Sequence, residues 1–389
     1  MDQLYFDYAA TTPIAPEVAE RMMAVMTSME LFGNPSSTTH VFGWKAQWLV
    51  ERARQSVSYL IGCKPRECTF TSGATESNNM VLQGVVKQAA LSAPGRALHL
   101  ITSAIEHKSI LDTCEAMTQF YPQLTVTYLQ PNRDGVVTAE QVSNALTPDT
   151  ILVSLMHVNN EIGSINPIEA IGKVCEDAQV FFHVDAAQSV GKFPFRADKL
   201  PIDALTFSAH KFYGPKGVGG LYLRHQSRLR MSPLVFGGGQ ERKIRPGTLA
   251  THQIEGLAAA CDLAVSRMDV YDRHIRYVRG IFIERLQELE IAMSINGPKE
   301  GGYPGILNIN LPDVDAESLM LMISDLGAST GSACNSQQKE GSHVLAAIGI
   351  EEHTTNLRFS FGWNTTVNDA ISAVDLLYHA IQDVLCEED

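Results

Sequence analysis

The chain has 389 residues, 45% of them apolar and 19% charged, which is typical of a folded globular protein with one large or two modest domains. Its 30 basic and 43 acidic residues give a net charge of −13 without any block of Lys and Arg, so we expect no direct binding to nucleic acid or to a membrane surface. It shows no N-terminal signal pattern and no apolar run near the roughly 18 residues that span a bilayer, so we expect a cytoplasmic protein.

From about residue 65 to residue 225, short β-rich segments alternate with segments of helical periodicity. The predicted strands are CTFTS (68–72), ALHLITS (97–103), TVTYLQ (125–130), TILVSLMHV (150–158), VFFHVDAA (180–187), ALTFSA (204–209) and GGLYLR (219–224). The predicted helices are ESNNMVLQGVVKQAA (76–90), HKSILDTCEAM (107–117), PIEAIGKVCEDA (167–178) and one that starts at a capping box, Thr138–Gln141. This alternation predicts an α/β fold, doubly wound around a mostly parallel sheet with helices on both faces.

After residue 250 the pattern changes. A long helix starting at THQIEGLAAACDLAVSRM (251–268) is followed by further strands and helices and by a final amphipathic helix. This order predicts a second, smaller α+β domain. We place the large domain at residues 15–255 and build the small domain from residues 1–14 and 256–389.

Ligands of doubly wound sheets bind at the carboxyl ends of the strands, so the polar residues that follow each predicted strand are candidate site residues. The segment SGATES (72–77) opens a helix with small residues and free N–H groups, which suits a phosphate, although a capped helix start without a ligand explains it equally well. His107 follows the next strand, where a structural histidine is more common than a catalytic one. Asn159 and Asn160 are either turn formers or donors to a ligand oxygen.

Two further strand ends carry the strongest signal. Asp185 ends an apolar strand, where a carboxylate is costly unless it meets a cation or a donor. Lys211, in SAHKFYGPKG (208–217), follows another apolar strand, and a desolvated lysine can form a Schiff base with a carbonyl group. Most lysines are surface residues, but one ligand explains the whole set: pyridoxal phosphate needs a lysine, an acid for its pyridine nitrogen, a phosphate cradle and a cover for its ring.

With these residues placed, the chain resembles the group I cysteine desulfurases of the NifS/IscS type, which are fold-type-I pyridoxal-phosphate enzymes of the class V aminotransferase family. The resemblance runs nearly end to end and rests on ten ordered motifs, of which any single one would be weak. They are FDYAATTP (6–13), FGNPSS (32–37), FTSGATESNN (70–79), MHVNNEIG (156–163), HVDAAQSVGK (183–192), FSAHKFYGPKG (207–217), GGGQER (237–242), RPGT (245–248), TGSAC (330–334) and LRFSFG (357–362).

The resemblance implies roles around the cofactor ring. Lys211 would bind pyridoxal phosphate covalently and, once freed, move the α-proton of the substrate. Asp185 would pair with the pyridine nitrogen and His107 would stack on the ring. Asn160 and Gln188 would contact the phenolic oxygen.

It also implies residues for the phosphate and the substrate. Ala74, Thr75, Ser208 and His210 would bind the phosphate, and Thr248 would do so from the neighbouring subunit of an obligate homodimer. For the α-carboxylate of L-cysteine, the resemblance implies Arg358, assisted by Asn34, because a guanidinium binds a carboxylate through two parallel hydrogen bonds.

The seven cysteines are scattered, odd in number and without a CxxC pair, so we expect neither a disulfide framework nor a metal site. Cys334 differs from the others because it lies in STGSACNSQQKEG (329–341), among small and polar residues. The resemblance implies that its thiolate attacks the substrate sulfur and becomes a persulfide, with release of L-alanine. On its own, an inert surface thiol would explain the same cysteine, since nothing nearby in sequence guarantees a lowered pKa.

The chain departs from the family pattern at three places. Asn335 stands where the family usually has Thr, Trp363 stands where Arg is common, and the chain stops at Asp389 without the tail that iron–sulfur desulfurases use near their scaffold partner. The sulfur-acceptor protein is therefore left open among iron–sulfur assembly, tRNA thiolation and DNA phosphorothioation, with a modest preference for a specialised system. A selenocysteine lyase, an aminotransferase, and a scaffold that keeps the fold without turnover are the alternatives.

Overall fold

The computed structural model describes residues 3–225, 231–330, 341–350 and 354–387. Within these residues, seven strands form one sheet in the order β2-β8-β7-β6-β5-β3-β4. All neighbouring pairs are parallel except those that involve β8, which runs antiparallel to both β2 and β7. The strands are β2 (Cys68–Thr71), β3 (Leu98–Ser103), β4 (Leu124–Leu129), β5 (Thr150–Met156), β6 (Phe181–Asp185), β7 (Ala204–Ser208) and β8 (Gly219–Leu223).

Helices cover both faces of this sheet, because neighbouring residues of a strand point to opposite sides. Leu100 and Leu152 pack with one apolar cluster, whereas the next residues along the chain, Ile101 and Val153, pack with the other. The helices that precede β8 are α1 (Pro16–Thr27), α2 (Val41–Ile61), α3 (Ala74–Ser92), α4 (Lys108–Phe120), α5 (Ala139–Ala145) and α6 (Ile168–Asp177). The predicted doubly wound α/β sheet is thus confirmed.

The remaining elements surround a smaller antiparallel sheet in the order β12-β10-β9, and the short strand β1 (Leu4–Tyr5) pairs in parallel with β11 (Leu326–Gly327). Helix α7 (Thr251–Glu288) connects the two regions, since it packs against α1 and α2 as well as against α10. The other elements are β9 (Ser294–Asn296), β10 (Ile306–Leu311), α8 (Ala316–Met322), α9 (His343–Ala347), β12 (Thr355–Ser360) and α10 (Val367–Glu387).

Local signals in the sequence also have their expected counterparts. Thr138 and Gln141 form the predicted capping box at the start of α5, with reciprocal side-chain to backbone hydrogen bonds.

The proposed domain boundary at residue 255 falls inside helix α7, so the chain crosses it without a break in secondary structure. Among the described residues, no helix has the length and apolarity needed to cross a membrane.

Candidate active site

The carboxyl ends of β3, β6 and β7 bring together the residues that the sequence predicted around a cofactor. Asp185 is the last residue of β6, and a short 3-10 turn, Ala209–Lys211, follows β7 directly. His107 caps the start of helix α4, four residues after β3 ends. The first turn of α3, which begins at Ala74, follows β2 at the same edge.

The Asp185 carboxylate is buried and held in a fixed orientation. Its Oδ2 accepts a hydrogen bond from Asn78 Nδ2 at 2.7 Å, and its Oδ1 accepts one from the backbone N–H of Ala187 at 2.9 Å. Asn78 is itself fixed, because its Oδ1 accepts from the Thr206 hydroxyl at 2.6 Å. A carboxylate held in this way can accept a further hydrogen bond from a cationic ring nitrogen.

His107 is oriented by the helix that it caps. Its Nδ1 accepts a hydrogen bond from the backbone N–H of Ser109 at 3.1 Å. Burial lowers the pKa of the imidazole, an effect that the nearby Asp185 opposes and Lys211 reinforces. The ring is therefore neutral at neutral pH, with Nδ1 as an acceptor.

The start of helix α3 has the features of an anion cradle. No side chain caps this helix, so N–H groups of its first turn remain available to a ligand. The N-cap residue Gly73 has φ 153°, which side chains rarely allow. Its close neighbour Gly219 has no room for a side chain, since a Cβ there would lie 2.7 Å from the Gly73 Cα atom. The hydroxyl of the buried Ser208 lies beside Gly73.

Lys211 reaches back to the N-terminal segment of the chain. Its Nζ donates hydrogen bonds to the carbonyl oxygens of Ala9 at 2.6 Å and Ala10 at 2.9 Å. The neighbouring His210 has its Nδ1 3.1 Å from the Thr11 hydroxyl, and burial lowers the pKa of this imidazole to about 4. Two backbone carbonyls of the N-terminal segment thus hold the amine of Lys211 in place.

Gln188 is buried beside the same segment, and its amide has one defined orientation. Its Nε2 donates to the Ala9 carbonyl at 2.8 Å, while its Oε1 accepts from Lys192 Nζ at 2.9 Å. Gln188 and Lys211 therefore share the Ala9 carbonyl oxygen as an acceptor.

Arg358 approaches the site from β12. Its guanidinium donates to the Asn160 backbone oxygen at 2.9 Å and forms a 2.6 Å ion pair with Asp7. Its Nε is buried and has no hydrogen-bond partner among the described residues. A buried donor of this kind is expensive unless a ligand satisfies it, so Arg358 is suited to bind an anion.

Three predicted residues are not joined to this group. Asn34 is exposed, and its Oδ1 accepts from the backbone N–H of Ser36 at 2.9 Å, so it stabilises a turn in its own loop. Thr248 is exposed on the loop before α7. Cys334 lies outside the described residues, as does Asn335 of its loop.

The assembled groups fit pyridoxal phosphate in their chemistry. The buried Asp185 is a partner for a protonated ring nitrogen, the uncapped start of α3 offers donors to a phosphate, and Lys211 supplies an amine. His107 is neutral and therefore able to lie against a ring without an added charge. The described residues hold no group of three or more His, Cys, Asp or Glu side chains that could bind a metal ion.

Several residues that build this site were not singled out from the sequence. Asn78 and Thr206 hold Asp185, Asp7 pairs with Arg358, and Lys192 contacts Gln188. Asn78 lies within FTSGATESNN and Lys192 ends HVDAAQSVGK, so two of the motifs contained them without indicating their roles. Trp363, one of the departures from the family pattern, stacks on Tyr213 with ring centroids 3.6 Å apart.

Comparison with known proteins gives concordant results. The family model described as aminotransferase class-V matches residues 4–372. The cysteine desulfurase IscS of Aeromonas salmonicida is 45% identical over 380 residues, which cover 97% of this chain and 92% of the relative. A solved structure described as a NifS-like protein superposes with a TM-score of 0.88 at 33% identity, covering 98% of this chain and 100% of the other. A second, described as SspA in complex with cysteine, has a TM-score of 0.80 at 36% identity and covers 92% and 99% of the two chains.

Proposed function

Since the chain belongs to the class-V aminotransferase family and is a pyridoxal-phosphate-dependent cysteine desulfurase of the NifS/IscS type, we propose that it transfers the sulfur of L-cysteine to its own Cys334. The C–S bond of the substrate breaks and an S–S bond to Cys334 forms, so the products are L-alanine and a Cys334 persulfide. No external oxidant is needed, because the two electrons given up in forming the S–S bond reduce the substrate β-carbon to the methyl group of alanine, which also takes up the proton of one thiol. The observation that supports this most strongly is the convergence of Asp185, His107 and Lys211 on one sheet edge.

The bound cofactor supplies an electron sink that weakens bonds at the substrate carbon atoms. Lys211 would hold the cofactor and, once freed, its amine would move the α-proton of the substrate. Asp185 pairs with the ring nitrogen, and the neutral His107 covers the ring and can accept a proton. Ala74, Thr75, Ser208 and His210 bind the phosphate, and Asn160 and Gln188 contact the phenolic oxygen.

Arg358 binds the α-carboxylate of L-cysteine in this scheme. Its unpartnered buried Nε supports that role, and its ion pair with Asp7 holds the guanidinium in place while the carboxylate binds. Asn34 would join through its Nδ2 donor, because its Oδ1 already accepts from the backbone N–H of Ser36. The solved relative described as a complex with cysteine supports L-cysteine as the ligand.

The first experiment measures alanine and sulfide released from L-cysteine by the purified holoenzyme with a thiol reductant present. We expect both products in equal amounts. Amino-group transfer to an α-keto acid without sulfide would contradict the proposal in favour of an aminotransferase, and a preference for L-selenocysteine would favour a selenocysteine lyase.

The same assay tests Arg358. Because lysine cannot form the two parallel hydrogen bonds of a guanidinium, Arg358→Lys should raise the KM for L-cysteine by roughly tenfold or more. Asn34→Ala is the comparison, and an effect as large as that of Arg358→Lys would show that Asn34 shares the carboxylate.

We also propose that the enzyme is a cytoplasmic homodimer in which Thr248 completes the neighbouring site. Helices α1 and α2 and the loop between them expose an unusual number of large apolar side chains, and single soluble chains rarely expose a patch of this kind unless it is an interface. This apolar surface consists of Met23, Met26, Met29, Phe32, Phe42, Trp44 and Trp48, each 42% to 79% exposed. The loop that carries Thr248 lies close to it, since Gln240 Nε2 donates to the Ser36 hydroxyl at 3.2 Å.

Introducing a charge into this surface should separate the subunits. We expect the wild-type mass in solution to be twice that of the 42.6 kDa chain, and Trp48→Glu to shift it to the monomer with loss of activity. Phe120→Glu is the matched control, because Phe120 is 75% exposed on the unrelated helix α4. An active wild-type monomer in sedimentation would contradict the proposal.

The persulfide sulfur passes to an acceptor protein. Iron–sulfur assembly, tRNA thiolation and DNA phosphorothioation are the candidate pathways, because each consumes persulfide sulfur. Incubating the persulfide form with each candidate acceptor and following the sulfur by mass spectrometry would identify it.

A further inference from the structure

Lys192 is a buried lysine next to the cofactor site. Lys192 is only 8% exposed, and its Nζ donates to Gln188 Oε1 at 2.9 Å. The ammonium also lies over the ring of Tyr303, 5.2 Å from the centroid. Within the described ranges, no ion pair involves Lys192.

Among the residues that the structure describes, the groups that influence the charge of Lys192 include no carboxylate. Lys211 and His210 face it from the turn after β7, and Tyr303 from the segment before β10. Tyr213, Tyr271 and Arg267 line the small cavity that Lys192 shares with Lys211. Burial, and to a lesser extent Lys211, lowers the pKa of Lys192 to about 7. A buried amine in such surroundings is costly, and an anion bound nearby would favour its charged form.

The contacts of the Gln188 amide with Lys192 and with the Ala9 carbonyl require the same orientation of the amide. An ammonium group is a donor without acceptor capacity, so only the oxygen of the Gln188 amide can face it. The amide nitrogen then points the other way, toward the Ala9 carbonyl that also accepts from Lys211. The charged form of Lys192 therefore selects the same orientation of the Gln188 amide as the Ala9 carbonyl does, and the two contacts together hold that orientation.

We propose that Lys192 is a positioning residue that holds the Gln188 amide with its N–H group toward the phenolic oxygen of the cofactor. Its ammonium also places a positive charge behind that hydrogen bond. The inference rests on the proposed role of Gln188 and extends it to a residue that does not touch the cofactor.

The test is a pH titration of the visible absorption band of the holoenzyme, which reports the proton on the linkage between Lys211 and the cofactor. Lys192→Met removes a nearby positive charge and one of the two hydrogen bonds that hold the Gln188 amide. Both changes favour the protonated form, so the midpoint should move upward by on the order of one pH unit. A midpoint that stays at the wild-type pH would overturn the proposal.

A second comparison asks whether Lys192 acts through Gln188. In a Gln188→Met background, Lys192→Met should shift the midpoint by much less, because the amide that it orients is gone. Equal shifts in both backgrounds would show that the two residues act independently and would overturn the positioning role.

The melting temperature of each holoenzyme is the control for a purely structural role. A lower melting temperature with an unchanged midpoint would make Lys192 a structural residue only. If the methionine variant does not fold, Lys192→Gln undergoes the same titration. A wild-type protein without any visible band would instead contradict the proposed function, so the two failures are distinguishable.

Discussion

Replacing Lys211 by alanine should abolish both the covalently bound cofactor and the desulfurase activity. The side chain has two tasks, attachment of the cofactor aldehyde and movement of the α-proton, and alanine can perform neither. Loss of a positioned acid–base group alone typically reduces a rate by about 10²–10⁴-fold, so we expect at least that reduction in kcat. The visible spectrum should lose the band of lysine-bound cofactor in the same protein.

Lys216→Ala is the matched control for this variant. Lys216 lies five residues further along, is exposed and takes no part in the proposed site, so its removal should leave the spectrum and activity close to wild type. If Lys216→Ala lost the band while Lys211→Ala kept it, the assignment of the cofactor lysine would be wrong.

Cys334→Ala should separate the cofactor chemistry from the sulfur transfer. Without the acceptor thiol, release of alanine and sulfide should fall by roughly 10³-fold or more, as is usual when a nucleophile is removed. The visible band should remain, because Cys334 has no part in holding the cofactor. In a single turnover without reductant, the wild type should carry one additional sulfur atom per chain by mass spectrometry and the variant none.

Cys386→Ala provides the comparison for a general thiol effect, since Cys386 is an exposed cysteine near the other end of the small region. It should retain the wild-type rate. If Cys334→Ala were as active as the wild type, the proposed cofactor site would still stand, but Cys334 would not be the residue that carries the persulfide.

The large sheet was predictable because its signal is local and repeated. Each strand from β2 to β8 is a short apolar segment between turn residues, and most are separated by a helical pattern that forces a parallel crossover. The carboxyl-end rule predicts His107, Asp185 and Lys211 at one edge of the sheet, and in the structure Asp185 ends β6 while His107 and Lys211 come after β3 and β7.

The supporting contacts were less predictable because they depend on side-chain direction across the fold. Asn78 meets Asp185 over 107 positions of sequence, and Asp7 meets Arg358 over 351. Neither pair has a spacing that periodicity could reveal. Cys63 and Cys68 are a similar case: they form no CxxC pair, yet their sulfur atoms lie 3.3 Å apart.

The stiffness of helix α7 bears on how the enzyme selects its substrate. Its 38 residues form a rod about 57 Å long, clamped at one end by α1 and α2 and at the other by α10. A hinge between the two regions would have to bend this rod, which contains no proline, so we expect Arg358 and Lys211 to keep a nearly constant separation. The carboxylate and the amine of a substrate must then fit the separation between Arg358 and Lys211. We therefore expect selectivity in substrate binding to come from this fixed spacing and not from domain closure.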